Sequence, residues 1–162
     1  MQLVVERNVT GRGGERQLIM VLKPPMPEWS LHPQLEHDTV PVGDLALCRV
    51  LAIDDADYSW LVLVPRRAGA EEIIDLSAAD AARLTEEIAQ TSRILKAVTN
   101  CDKLNIAAIG NVVPQLHVHI VARWKTDPLW PKPVWGAPSL HPGDAEAFAR
   151  FITAIKERLA LL

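Results

Sequence analysis

Aromatic rings other than indole are scarce in this chain, with two phenylalanines and one tyrosine in 162 residues, and there are only two cysteines. Two thiols, Cys48 and Cys101, are too few for a disulfide framework or a four-thiolate zinc site, and they read as small, reduced core residues. No run of 18 apolar residues is present, so no transmembrane helix is expected. The apolar stretch Leu18–Leu22 closes on Lys23-Pro24-Pro25 and is too short for a secretory signal. An excess of basic charge is also missing: 17 Lys and Arg stand against 20 Asp and Glu, a net charge of −3. That balance argues against a general nucleic-acid coat and leaves any anionic ligand to a local site. The expectation is a soluble cytoplasmic protein with no membrane and no nucleic-acid partner.

What is present fits one globular domain. The chain is 49% hydrophobic and 23% charged, and its length suits a single core. Five tryptophans are an unusual load, and Trp124, Trp130 and Trp135 fall close together near the C-terminal end. Residues 1–27 differ from the rest: Gly11–Gly14 reads as a turn, Pro24–Pro27 as a break, and Gln17–Leu22 as a short strand between them. This extension is an accessory hairpin or a loosely attached tail, without an assigned role. The domain proper is placed at residues 28–162.

Within it, Asp38–Asp44 reads as an extended loop, and Leu45–Ile53 and Trp60–Pro65 as a β-hairpin across a polar loop. Ser77, with Asp80 three residues on, opens a helix of about 22 residues with Ala81, Leu84, Ile88, Thr91, Leu95 and Val98 on one stripe and Asn100 at its end. Leu104–Ile109 reads as a strand, Gly110-Asn111 as a turn, and Val112–Trp124 as holding a further strand. Asp127–Pro142 is an ordered loop, and a last helix starts near Asp144, with Phe148, Ile152, Ile155, Leu159 and Leu162 on one face. The order predicts an α+β fold: an antiparallel sheet with one long helix and a C-terminal helix.

Chemistry concentrates in Gln115-Leu116-His117-Val118-His119-Ile120-Val121. In a strand, side chains alternate, so Gln115, His117 and His119 share one face, the two histidines about 7 Å apart, and the apolar row takes the other. The polar face opens on a cleft or on water. One reading is a solvated face. A second is a zinc site, for which Asp54, Asp55 or His141 would have to supply the third ligand. A third is nucleophilic catalysis on phosphorus by a neutral imidazole whose other nitrogen is held by a partner.

The segment resembles the His-φ-His-φ-His-φ-φ signature of histidine triad (HIT) proteins, with glutamine in the first place. Leu104-Asn105, Gly110–Pro114 and Arg123 resemble the strand and phosphate loop of that family, and Leu45–Pro65 its earlier hairpin. Trp130–Gly136 is similar to the tail of a bacterial, diadenosine-tetraphosphate-hydrolase-like branch. The likeness spans residues 29–140.

The resemblance implies a HIT-like fold and a nucleotide hydrolase or transferase. Such an enzyme would cleave dinucleoside polyphosphates or nucleoside phosphoramidates at the α-phosphate, through a nucleotidyl-histidine, with no metal and no cofactor. His117 then stands as the nucleophile, and the carbonyl of Gln115 holds its Nδ1–H. His119 binds the phosphate or the bridging atom. Asn111 and the N–H groups of Val112 and Val113 cradle the phosphate oxygens. Asn105 lies on the phosphate side, and Asp54, or Asp55 next to it, takes the ribose hydroxyls. A homodimer is implied as well.

Two residues depart from the family pattern. Gln115 cannot titrate as a histidine does, and Trp60 stands where many relatives carry a further histidine behind the third triad position. A nucleotide-binding module with a degenerate site and a metal-dependent hydrolase therefore remain as alternatives.

Overall fold

The structure, a computed structural model, describes residues 4–10, 16–22, 28–136 and 141–160. The N-terminal extension forms an antiparallel pair, β1 (Val4–Thr10) and β2 (Arg16–Leu22), in register Val4 to Leu22. The glycine turn at 11–14 and the proline break at 24–27, expected on either side of β2, lie outside the described residues.

A five-stranded antiparallel sheet follows: β3 (Val40–Asp44), β4 (Cys48–Ile53), β5 (Trp60–Pro65), β6 (Lys103–Ala107) and β7 (Val118–Arg123), in the order β3-β4-β5-β7-β6. Among the described residues three α-helices accompany it: α1 (Pro33–Asp38), α2 (Ala78–Thr99) and α3 (Ala145–Leu159). The α+β architecture expected from the sequence, an antiparallel sheet with one long helix and a C-terminal helix, is the one found.

Both long helices start where the sequence places them. The Ser77 side chain accepts from Asp80 N–H, and the Asp144 carboxylate from Ala147 N–H, each relieving an unpaired N-terminal donor. Asn100 ends α2 in the left-handed conformation at φ 50°, which asparagine tolerates. The apolar stripe of α2 holds an unforeseen charge. Glu87 is 2% exposed and accepts hydrogen bonds from Leu47 N–H at 2.7 Å and Cys48 N–H at 2.8 Å. The carboxylate thus ties the helix to the start of β4, since a buried charge has to be hydrogen-bonded. Cys48 and Cys101 are buried free thiols, and burial pushes the Cys48 thiol up.

Boundaries differ from the sequence reading in several places, β6 ending at Ala107 and not Ile109 among them, and three bear on the site. Asp38–Asp44 is not a loop: Val40–Asp44 pairs with β4, with a register shift between Pro41 and Gly43. Proline and glycine here mark an irregular edge strand. The first hairpin strand begins at Cys48, not Leu45. Strand β7 begins at Val118, so Gln115 and His117 precede the sheet instead of lying in it. Pro114 has no N–H to give a ladder, and Leu116 N–H bonds Ala70 O at 2.9 Å, which draws the segment off the sheet.

The sheet is covered on both faces. Helices α2 and α3 bury Val50, Ala52, Leu61, Leu63, Ile120 and Ala122 on one side. The other side holds Leu51, Ile53, Trp60, Val62 and Val121 under Leu35, Val113 and Val134, with Trp29, Leu31 and Trp135 packed beside them. The face read as open to a cleft or water is thus mostly a second core, and β5 is buried along its whole length.

Candidate active site

His117 and His119 sit at the mouth of that second core. Their rings are 4.9 Å apart and nearly perpendicular. His117 is 6% exposed, and its Nδ1 lies 2.7 Å from the carbonyl oxygen of Gln115. A carbonyl only accepts, so Nδ1 carries the proton and Nε2 keeps its lone pair. Among the described residues Nε2 has no hydrogen-bond partner. His117 lines a cavity of about 400 Å³ together with Asn111, Gly110, Glu71 and Glu72.

His119 faces Ala107 across the ladder to β6 and Val62 across the ladder to β5. Trp60 Nε1–H donates to its Nδ1 at 3.0 Å. Trp60 and Trp135 meet the imidazole edge-on at 5.4 and 6.0 Å. Burial, and then the charge of His117, pull its pKa down to about 4.

The side chain of Gln115 does not join the two rings. Its Oε1 accepts from His32 N–H and its Nε2 donates to Ser30 O, both at 2.9 Å. The amide thereby clamps the segment that carries Trp29 and Leu31 onto the second core.

The loop after β6 brings Asn111 to the His117 cavity, with an exposed backbone around it. Val112 is 87% exposed and Val113 is buried in the second core. Among the described residues the N–H groups of Val112 and Val113 donate to no acceptor in the protein.

Asn105 lies on the same sheet face, paired with Val121, but is turned toward Arg123, whose Nη1 donates to its Oδ1 at 2.7 Å. Asp54 is elsewhere. Its Oδ1 accepts from Gly143 N–H at 3.1 Å, in a separate cavity of about 220 Å³ that it lines with Asp55 and the start of α3. Asp55 Oδ1 accepts from the N–H groups of Asp57 and Tyr58 and closes the hairpin loop.

Arg123 anchors the tryptophan loop. It is 1% exposed and pairs with Asp127 through Nε at 2.7 Å and Nη2 at 2.8 Å, while Nη2 also reaches Lys132 O at 2.9 Å. This pair holds the Asp127 carboxyl below its ordinary range. Tyr58 and Trp130 lie near the guanidinium at 5.4 and 6.0 Å. The anchored loop then carries Val134 and Trp135 over the sheet.

Arg66 and Arg67 are committed to carbonyls of residues 45–47 and to Asp80, away from the histidines. Glu71 and Glu72, at the His117 cavity, carry no signal in the sequence. They lie in a connection without a motif, and only the return of β7 brings them near His117. Among the described residues no group of three or more His, Cys, Asp or Glu converges as a metal site, so Asp54, Asp55 and His141 do not complete one with the histidines. No described helix is long and apolar enough to cross a membrane.

Comparison with known proteins agrees with this architecture. The HIT domain family model matches residues 34–126. A crystal structure of a histidine triad protein from Bradyrhizobium japonicum is 55% identical, with TM-score 0.79, over 82% of this chain and 98% of that one. Histidine triad proteins from Sinorhizobium meliloti (41% identical, TM-score 0.78, 82% and 98% covered) and Marinobacter aquaeolei (38%, 0.80, 84% and 99%) are similar throughout. No curated protein matches the chain. With the family model covering more than half its length and three solved relatives above 30% identity, the chain belongs to the histidine triad (HIT) family.

Proposed function

We propose that this protein is a nucleotide hydrolase or transferase that cleaves at an α-phosphate through a covalent nucleotidyl-His117. HIT family proteins are in general nucleotide hydrolases or transferases. The observation that carries the reading to this chain is the state of His117: Nδ1–H held by the Gln115 carbonyl, Nε2 bare beside a cavity. In the first step the Nε2 lone pair attacks phosphorus, the N–P bond forms, and the bond to the leaving group breaks with its electron pair. The imidazolium so formed is stabilised by the Gln115 oxygen. Water then attacks phosphorus, the N–P bond breaks, the water proton goes to solvent, and His117 returns to its starting form.

In this reading Asn111 and the N–H groups of Val112 and Val113, unpaired among the described residues, take the phosphate oxygens, where charge develops. His119 binds the phosphate or bridging atom, with Gln115 positioning the nucleophile. Asn105 has its Nδ2 left for the phosphate side, whereas Asp54 lines the second cavity, apart from His117, and has no part in this reading. The leaving group is a polyphosphate, as in the diadenosine-tetraphosphate-hydrolase-like branch, or an amine. Glu71 and Glu72, with no Lys or Arg among the described residues lining that cavity, favour the amine of a nucleoside phosphoramidate. A homodimer accompanies the reading, supported by the edge position of β6 and the 47% exposure of Ile106 on it.

The experiment is a screen of dinucleoside polyphosphates and adenosine phosphoramidates with and without EDTA, with trapping of the protein–nucleotide adduct by mass spectrometry. Wild-type turnover that survives EDTA is expected, and His117→Ala should lose it by about a thousandfold or more. Normal hydrolysis by His117→Ala refutes the mechanism. AMP binding by calorimetry without product from any substrate identifies a binding module, and loss of activity with EDTA identifies a metal-dependent hydrolase.

A further inference from the structure

The contact between Trp60 and His119 decides more than packing. An indole has one polar group, and it only donates. With Trp60 Nε1–H on His119 Nδ1 at 3.0 Å, the nitrogen it faces must be unprotonated, and the ring proton sits on Nε2. The donor itself is fixed. Trp60 is 6% exposed, is paired with Ile53 and Val121 across two ladders, and meets the Trp135 ring edge-on at 6.1 Å. His117 therefore carries its proton on Nδ1 and His119 on Nε2, opposite tautomers in neighbouring rings.

A second proton on His119 would have to go to Nδ1, against the indole N–H. Among the described residues nothing nearby compensates it. The groups facing the ring are His117 before β7, Trp60 on β5, Ala107 on β6 and Trp135 from the loop, and no carboxylate is among them. Arg123, further along the same face, is neutralised by Asp127. Burial works in the same direction, holding the ring neutral.

We propose that Trp60 is a positioning residue that confines His119 to the Nε2–H tautomer, so that His119 serves as a hydrogen-bond donor to the reacting phosphate and not as a proton donor to the leaving group. Loss of the Nε2 proton would leave an imidazolate. A polyphosphate then departs as an anion without needing a proton, and an amine takes its proton from water. The catalytic half of this inference rests on the proposed function; the tautomer half does not.

The test separates the two. Imidazole ¹⁵N spectra of the full chain are recorded between about pH 5 and pH 8 for wild type, Trp60→Phe and His119→Asn, the last assigning the His119 signals. Wild-type His119 is expected to remain neutral and Nε2–H throughout. In Trp60→Phe it should become a tautomer mixture whose titration moves up by about one pH unit or more. A wild-type His119 that titrates in this range, or holds the Nδ1–H form, overturns the proposal, and that arm stands even if Trp60→Phe does not fold. A folded Trp60→Phe with unchanged tautomer and titration overturns it as well.

In the activity arm, wild-type kcat/KM should rise with pH along one limb and then stay flat. Trp60→Phe should lose kcat by about tenfold with KM little changed. A descending wild-type limb that disappears in His119→Asn overturns the donor role. No turnover at all with His119 locked refutes the hydrolase reading alone and upholds the tautomer assignment.

Discussion

Replacing Arg123 with methionine would leave the Asp127 carboxylate, 2% exposed, without its cation. Two charge-assisted hydrogen bonds, at 2.7 and 2.8 Å, disappear together, as do those to Asn105 Oδ1 and Lys132 O. The remaining donors to Asp127 are the N–H groups of Trp124 at 3.3 Å and Leu129 at 3.1 Å and the Tyr58 hydroxyl at 3.5 Å, all neutral and longer. Breaking a buried pair from one side costs about 3–5 kcal/mol, because the partner charge stays behind. At roughly 2–4 °C per kcal/mol for a chain of this size, the melting midpoint should fall by about 10 °C. Urea unfolding followed by tryptophan fluorescence measures the loss. The double variant Arg123→Met with Asp127→Leu should lose less than the sum of the single variants by about 1.5 kcal/mol or more, since no charge is then stranded. A single Arg123→Met that costs under about 1 kcal/mol would refute the reasoning and make the pair a surface-like contact.

Two further outcomes follow from the site. Gln115→Glu replaces the donor to Ser30 O by an oxygen, so the clamp on the N-terminal segment should weaken by about 1–2 kcal/mol in urea unfolding while the main-chain bond to His117 survives. Equal stability of the two proteins at neutral pH would show that the clamp is not made. For His119, the folded pKa of about 4 lies below the ordinary 6.5, so the unfolded chain takes up a proton first as pH falls. Its stability contribution is complete above about pH 6.5 and is lost between there and about pH 4, by up to about 3 kcal/mol. The difference in unfolding free energy between about pH 7 and pH 4.5 should therefore shrink in His119→Asn, whose Oδ1 can still accept from Trp60, and an unchanged difference counts against the depressed pKa.

The parts legible in the sequence were those written in local chemistry. The caps at Ser77 and Asp144, the hairpin strands around Asp54–Ser59 and the closing asparagine at position 100 each depend on neighbours within a few residues. What escaped was written at long range. Strand β3 carries Pro41 and Gly43, which locally signal a loop, and only pairing with β4 makes it a strand. Helix α1 is six residues long, too short for a periodic stripe. The second core is assembled from Trp29 and Leu31 at one end and Val134 and Trp135 at the other, so no single window shows it. At the site, the His-x-His pair was plain, yet its surroundings were not: Glu71 and Glu72 reach the His117 cavity, and the Ser30–His32 backbone reaches the Gln115 amide, through tertiary folding. Trp60 read as a missing histidine, because its single N–H acquires meaning only beside Nδ1 of His119.

Strand β5 is hidden on both sides, and β7 leans on it through four consecutive pairs. The histidine bed is therefore an anvil with no slack: nothing beneath it can yield when a ligand arrives. Accommodation to ligands of different size must fall to the rim, where the 108–111 turn lines the His117 cavity and the 129–135 stretch brings Trp135 against His119. Variation between homologues in what they accept should accordingly concentrate in those two rims, leaving the bed unchanged.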